Sequence, residues 1–320
     1  MRDIGGYIEL EMPQRGEYHD ALALNCARNC VRYLIRAYGI KRMYVPYYQC
    51  PLVFDAIEKE NCSICFYEID QNFLPKREFE RDACILYINY FGICDKQTDR
   101  LAALYPDLIV DNSQAFYSKP RGMACFYSPR KFFGVADGAY LYTQKHLSEP
   151  LKQDHDTCDR FSHLLKRIEG GSNFGYPDFK RNDGCLENAD IELMSNLTRY
   201  ILAGQDYAAV SKKRRENFKY LHEKLSKFNN LNVELGDQVS MFYPFLFKID
   251  GLREELMKNS VYVSTLWNGF DYPENSTEEY FKYYLFPLII DQRYGFEEMD
   301  RQADIIKNKI AALNQGGADG

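Results

Sequence analysis

At 320 residues, 46% of them hydrophobic, the chain is long enough to bury a large core and to divide into two domains. Its formal net charge of -6 sets the overall field against polyanions, which excludes nucleic acid as the expected partner and favours a small molecule. No apolar run approaches the ~20 residues of a membrane span and the opening residues show no basic-then-apolar leader, so no membrane is expected, the cytoplasm is the expected location, and the ten cysteines read as reduced thiols.

The first element in chain order is a helix over Ala27 to Tyr38, opened by Leu24-Asn25-Cys26. From Arg42 to Thr143, short apolar runs bounded by Pro, Asp and Gly alternate with polar or amphipathic stretches, which predicts strand and helix in repetition. The strand-like runs are MYVPYY, CSICFYEI, ACILYINYF, DLIVD, MACFYS and AYLYT. Helices are predicted over Pro51 to Asn61 and over Thr98 to Leu104, the latter ending ahead of Pro106. DLIVD and ACILYINYF are apolar continuously rather than alternately, the pattern of strands covered by helices on both faces. This half reads as an α/β sheet, mostly parallel, between helices.

Beyond Thr143 the sequence turns polar and reads as irregular through Gly170-Gly171 and on to Gly184, before a long helical pattern from Asp190 onward. A domain boundary near Gln205 gives a large domain over 1–205 and a smaller α/β domain over 206–320. In the smaller one, MFYPFLFKI and VYVSTLW read as strands around the helical LREELMKN. Phe296, Met299, Ala303, Ile306, Ile310 and Leu313 then recur at spacings of three and four, the stripe of an amphipathic helix.

Three features carry chemistry. DLIVD ends at Asp111, and ligands of open α/β sheets bind beyond the carboxyl ends of strands. Lys131 sits in CFYSPRKFFGVADG, between a strand ending at Ser128 and a Gly-containing turn before AYLYT. A carboxylate at one strand end and an amine at a neighbouring one are the groups that pyridoxal phosphate (PLP) requires, the anion to keep its pyridine nitrogen protonated and the amine to form a Schiff base. The third feature is the helix start at Ala27 and Arg28, whose free N–H groups and positive dipole end suit a phosphate, with the Arg28 guanidinium as a fixed charge. Taken singly, each has an ordinary explanation: a strand-end aspartate caps the next helix, a lysine is solvated, and an arginine lies on the surface of a first turn.

In their order, these pieces resemble the DegT/DnrJ/StrS sugar aminotransferases, which have the fold-type-I PLP architecture, and the likeness extends over most of the chain. Cys26 to Val31 matches the family's Ser-Gly-Thr-Ala-Ala-Leu-like helix start, and VPYYQCP matches its Pro-containing strand end. Asp111 and Gln114 match its Asp-x-x-Gln, while Pro129, Lys131, Asp137 and Gly138 match its Pro-x-Lys and the acidic-Gly turn that follows. The resemblance implies that Asp111 pairs with the pyridine nitrogen, that Gln114 contacts the ring's phenolic oxygen, and that the amides of Ala27 and Arg28 hold the phosphate. It implies that Lys131 forms the internal aldimine and then acts as the acid/base of transamination. It also implies a homodimer with shared active sites, an amino donor such as glutamate, and a keto-sugar acceptor of the nucleotide-linked kind.

The chain departs from the family pattern in having a shorter first segment ahead of the phosphate-binding helix and at three further places. Phe126 stands where a phosphate-binding serine is usual, and Ser128 is the nearest hydroxyl. Ala189 to Asn196 replaces the loop that reaches the partner subunit's phosphate, with only Met194-Ser195 surviving, so Ser195 or Asn196 is expected in that role. Cys50 stands where an aromatic residue stacks on the cofactor ring, and Tyr48, two residues away on the same strand face, is the expected replacement. These departures leave two rival readings: a PLP-binding protein that no longer transaminates and serves regulation or assembly, and an enzyme with the same cofactor but another outcome, such as dehydration. Against the second, the related sugar dehydratases lack the lysine.

Other signals point elsewhere. Cys62 and Cys65 are an odd number of residues apart in a strand-like run, which places them on opposite faces, and no second pair accompanies Cys26 and Cys30, so no metal is expected. Lys212 to Arg215 reads as the solvated face of a helix, with attraction of a nucleotide sugar's diphosphate as the functional alternative.

Overall fold

A computed structural model of the chain describes residues 6–234 and 236–316. Its first half is built on a seven-stranded sheet. In chain order the strands are β1 (Leu22–Leu24), β2 (Arg42–Pro46), β3 (Ser63–Tyr67), β4 (Ile85–Ile88), β5 (Leu108–Asn112), β6 (Ala124–Tyr127) and β7 (Ala139–Thr143), and in space they run β1-β7-β6-β5-β4-β2-β3. β7 is antiparallel to both neighbours, while the other six strands are parallel to one another. The helices α1 (Ala27–Tyr38), α2 (Pro51–Glu58) and α3 (Asp95–Leu104) connect the parallel strands. The sheet is the mixed α/β arrangement expected from sequence.

Strand parity divides the core. Met43, Val45, Leu86, Ile109, Phe126 and Leu141 point to the face covered by α1 and α2, where they pack with Leu34 and Ile57. Their chain neighbours Tyr44, Ile85, Tyr87, Val110, Cys125 and Tyr127 point to the opposite face, which the C-terminal third of the chain covers. Both faces are dry, and that is why the strands are apolar without interruption.

The stretch expected to be irregular is helical. α4 (Thr157–Arg160) leads into α5 (Ser162–Glu187), which breaks at Gly171 (φ 79, ψ -174) and contains Pro177. The two parts of α5 are tied by Asp178, whose carboxylate accepts from Ser162 at 3.1 Å and from Lys166 at 2.5 Å. α5 is held to the rest of the protein by an Arg130–Asp183 ion pair at 2.7 Å and by Asn182 Nδ2 donating to the Ala136 carbonyl at 2.8 Å. Polar tertiary contacts of this kind override a composition rich in glycine and asparagine.

α6 (Asn196–Ala203) follows, and Gln205 lies in the link between it and α7 (Tyr207–Leu225). The remaining elements are β8 (Phe242–Leu246), α8 (Leu252–Lys258), α9 (Thr277–Tyr284), β9 (Leu285–Ile289) and α10 (Phe296–Gly316). On α10 the expected stripe is buried at Met299, Ala303, Ile306 and Ile310 and surfaces at its ends, Phe296 and Leu313. The run at 261–267 is not a strand: it crosses the surface irregularly, with Val261, Val263, Leu266 and Trp267 only partly buried against the core. The partner of β8 is instead β9, antiparallel, with Pro244 directly opposite Pro287. Two prolines fit there as a non-hydrogen-bonded pair, where the missing N–H would have pointed away from the partner strand. No described helix is long and apolar enough to cross a membrane.

Candidate active site

One edge of the sheet gathers the sequence-predicted residues. The parallel strands deliver their carboxyl ends there, so Gln49 beyond β2, Asn89 beyond β4, Asp111 in β5 and Ser128 beyond β6 all arrive at that edge. β7, running the other way, starts there, which brings Asp137-Gly138; β1 ends there and passes through Asn25-Cys26 into the N-terminus of α1. Asp111 and Phe126 are cross-strand partners, so the turn after β6 adjoins the end of β5. Ligands of open α/β sheets bind at this edge.

Asp111 is 5% exposed. Its Oδ1 accepts from the Ser113 N–H at 2.8 Å and its Oδ2 from Gln49 Nε2 at 3.3 Å. Gln49 Oε1 accepts from the Cys50 N–H at 2.7 Å, which orients the amide so that its NH₂ faces the carboxylate. Gln49 escaped the sequence reading. It is buried beside Tyr47 and Tyr48, and only the bend of the chain after Pro46 turns it toward Asp111.

Gln114 is buried and its Oε1 accepts from the Phe91 N–H at 2.7 Å, leaving Nε2 as the group able to donate outward. Phe91 adopts φ 56, the left-handed region, and Gly92 follows at φ 74. A Cβ on Gly92 would lie 2.9 Å from the Gln114 carbonyl oxygen, so only glycine allows this turn to press against β5's exit.

Lys131 ends a single 3₁₀ turn, Pro129–Lys131; its side chain is exposed and, among the described residues, makes no hydrogen bond or ion pair. The hydroxyl of the buried Ser128 has no partner among the described residues either. At the start of α1, Cys26 provides no side-chain cap, and Asn29 and Cys30 bond back to the Cys26 carbonyl, so among the described residues the Ala27 and Arg28 amides remain unclaimed. The Arg28 side chain, half-buried, lines a shallow groove between α1, α2 and α5 with Arg32, Asp55 and Lys59.

Two expected residues are engaged otherwise. Tyr48 is wholly buried, its hydroxyl unpartnered and its phenol pushed up by burial. Its ring packs edge-on to Trp267 at 4.6 Å and among Tyr90, Tyr272 and Phe281. A ring with no exposed face has none to offer a cofactor, so the stacking role expected for Tyr48 does not hold in this structure. Ser195 caps α6, accepting from the Thr198 N–H at 3.1 Å and donating to Asp137 Oδ1 at 2.8 Å. Asp137 also receives the Ser195 N–H at 2.8 Å and the Thr198 hydroxyl. With both hydrogen-bonding functions of its hydroxyl used inside its own chain, Ser195 is removed from the expected partner-subunit role, whereas the Asn196 side chain is exposed and has no bond among the described residues. Burial raises the Asp137 carboxyl above the ordinary aspartate range despite its donors.

The basic run is not uniformly solvated: Arg214 is 2% exposed. All ten cysteines are free. Among the described residues no group of His, Cys, Asp and Glu is placed to hold a metal ion.

No family model and no curated protein matches the chain by sequence. Solved structures match its fold. A DegT/DnrJ/EryC1/StrS aminotransferase from Brucella abortus superposes with a TM-score of 0.59 at 13% identity, covering 92% of this chain and 86% of that one. The E. coli GDP-4-keto-6-deoxy-D-mannose-3-dehydratase with bound hydrated PLP gives 0.60 at 16% identity, covering 89% and 87%. The aminotransferase TlmJ from Streptoalloteichus hindustanus gives 0.61 at 14% identity, covering 92% and 86%. The chain is similar to these proteins in fold: a seven-stranded, mostly parallel sheet between helices with a smaller C-terminal α/β region, the architecture of PLP-dependent aminotransferases.

Proposed function

We infer that the chain is a PLP-dependent aminotransferase that moves an amino group from an amino acid, glutamate in the preferred reading, to a nucleotide-linked keto-sugar. The observation that carries this is the convergence of Asp111, Gln114, Lys131 and the open start of α1 on one sheet edge, in a fold shared with such enzymes. The residues fit the cofactor. Unclaimed Ala27 and Arg28 amides at a helix N-terminus and the unpartnered Ser128 hydroxyl suit a phosphate; Gln114 presents a free amide NH₂; Asp111 is an anion held in place by two donors. Lys131 supplies the amine for covalent attachment. When bound, PLP supplies an electron sink for the carbanion formed at the substrate's amine-bearing carbon.

The chain's own groups then have distinct tasks. Asp111 holds a proton on the ring nitrogen, and Gln49 keeps the carboxylate aimed. Lys131 Nζ, unpaired and exposed, takes the proton from the donor's α-carbon. Asn196 is proposed to reach the phosphate of a partner subunit, because Ser195 is occupied and Phe126 offers no hydroxyl. A homodimer with shared sites also explains why a catalytic lysine is exposed on the single chain: proton transfer at carbon needs water excluded, and a second copy would cover this edge. The exposed apolar side chains of α5, including Leu165, Ile168 and Phe174, offer surface for such a partner.

A dehydration outcome is the second reading, favoured by the dehydratase among the structural relatives. Retention of Lys131 weighs against it. The Lys131 assignment and the reading of a PLP-binding protein without turnover are tested in one experiment. The protein is reconstituted with PLP, reduced with borohydride and mapped, and a parallel sample is mixed with glutamate. The pyridoxyl group is expected on Lys131, and glutamate is expected to discharge the visible band. Label on another lysine refutes the assignment, and label on Lys131 with no response to any amino donor favours the protein without turnover.

A further inference from the structure

Arg214 is a guanidinium almost without exposure, and among the described residues no carboxylate lies within ion-pair distance of it. The anion that acts on it, Asp291, pairs directly with Arg293 instead, and a buried cation without an anion in contact is costly, so its direct partners show what it is for. Nη1 donates to the carbonyls of Ser240 and Met241 at 3.3 and 3.1 Å, and Nε donates to Gln292 Oε1 at 2.9 Å. The guanidinium Cζ lies over the ring of Phe132, the residue after Lys131, 4.5 Å from its centroid. Gln292 Nε2 in turn donates to the Phe132 carbonyl at 2.7 Å. From the other end, the Met241 N–H donates to the Phe91 carbonyl at 2.9 Å, and the Phe91 N–H donates to Gln114 Oε1 at 2.7 Å. An unbroken path therefore runs Gln114, Phe91, Met241, Arg214, Gln292, Phe132, and its two ends are neighbours of the candidate chemistry. The path crosses Phe91 in a left-handed conformation, which persists only where surrounding contacts enforce it. Burial lowers the Arg214 pKa to about 10, yet it stays charged at neutral pH.

Resting on the functional reading above, we propose that Arg214 is a positioning residue, a hub through which the C-terminal region fixes the Lys131 turn relative to Gln114. Gln292 is its bidentate relay: the amide oxygen accepts a hydrogen bond from the guanidinium Nε–H, and the amide NH₂ donates to the backbone carbonyl beside the lysine. Arginine is required for its planar fork, which serves two carbonyls, an amide and an aromatic face at once.

The test uses the PLP-reconstituted full chain. Gln292→Met removes both relay bonds without adding or deleting charge, and Arg214→Lys keeps the charge but loses the fork. Gln302→Met is the control: Gln302 is also buried and clasps Ile289 through its N–H and carbonyl at 2.9 Å each, on the β9 side of the same region. The readout is the pH midpoint of the visible absorbance change, which reports the environment of the lysine-cofactor linkage, with borohydride mapping to Lys131 in every sample. We expect Gln292→Met and Arg214→Lys to move the midpoint by about half a pH unit or more, a change of roughly threefold or greater in the protonation equilibrium. Gln302→Met should lower the melting temperature and leave the midpoint in place. Equal midpoints in all four proteins, or equal shifts in Gln292→Met and Gln302→Met, overturn the proposal. So does loss of folded protein in both Gln292→Met and Arg214→Lys, which marks a role in folding alone. If the unaltered chain forms no visible adduct, it is the functional reading that fails.

Discussion

Replacing Ser195 by alanine is expected to destabilise the fold rather than to empty a shared active site. The hydroxyl caps α6 through the Thr198 N–H, a contribution of about 1 kcal/mol. It also donates to a carboxylate that has no contact with bulk water, and loss of a hydrogen bond to such a charge costs about 2 kcal/mol. The sum, about 3 kcal/mol, corresponds to roughly 6 °C in melting temperature for a chain of this size. Asn196→Ala removes an exposed side chain with no bonds and should remain within about 0.5 kcal/mol of the parent. The Asp137 carboxyl titrates above its ordinary range, so in the fold it favours the protonated form, and the stability associated with it is present at low pH and lost as pH rises past the ordinary value. Loss of a donor raises that pKa further. The deficit of Ser195→Ala should therefore grow from acid toward neutral pH. Thermal unfolding across that range tests the stability part. Subunit exchange tests the rest: Lys131→Ala mixed with Asn196→Ala should recover activity, because one site in the mixed dimer has both intact contributions. A Ser195→Ala protein as stable as its parent, yet restoring activity in the mixture where Asn196→Ala does not, would refute this division of labour.

Asp111→Asn should still bind PLP, since one oxygen remains to accept from Ser113, but should lose the glutamate half-reaction by orders of magnitude; near-normal turnover would reduce Asp111 to a turn residue. His19 provides a pH test remote from the chemistry. Its Nε2 lies 2.9 Å from the Phe116 carbonyl and must donate, so Nδ1 accepts from the Tyr142 hydroxyl at 3.2 Å and the ring is neutral. Burial lowers its pKa to about 4 from the usual 6.5, so the folded state should lose about 3 kcal/mol as pH falls across that interval. In His19→Gln that slope should disappear from chemical denaturation curves, and an unchanged slope would assign the acid sensitivity to other groups.

Much of the large sheet was legible because its strands are dry on both faces, which leaves continuous apolar runs in the sequence. The motif residues were legible through their order, and the sheet topology brings them to one edge. What failed did so for local reasons. The parity argument that selected Tyr48 assumed an extended chain through residue 50, but β2 ends at Pro46 and the chain bends, so Tyr48 turns into the aromatic cluster and Gln49 toward Asp111. The run at 261–267 has strand-forming residues but no neighbour to pair with. β9 was hidden by Pro287, acceptable because it sits at a non-hydrogen-bonded position of an edge strand, opposite Pro244. α5 was hidden by glycines and a proline whose cost is offset by Asp178, Asn182 and Asp183, contacts with no signature along the chain.

The continuity of one apolar interior across the two halves bears on how this protein can be recombined. Leu221, Phe245, Phe286 and Ile306 belong to one contiguous cluster with Tyr87, Val110 and Tyr127 from the sheet. A crossover with a distant relative at Gln205 would look neutral on a map of secondary structure, since it falls in a link. It would nevertheless pair two unmatched surfaces of a single interior and replace Arg214, Met241 and Gln292 together. A junction at the break of α5 at Gly171 would part the same two sets of residues, because every strand of the large sheet precedes it, and would also divide Asp178 from Ser162 and Lys166.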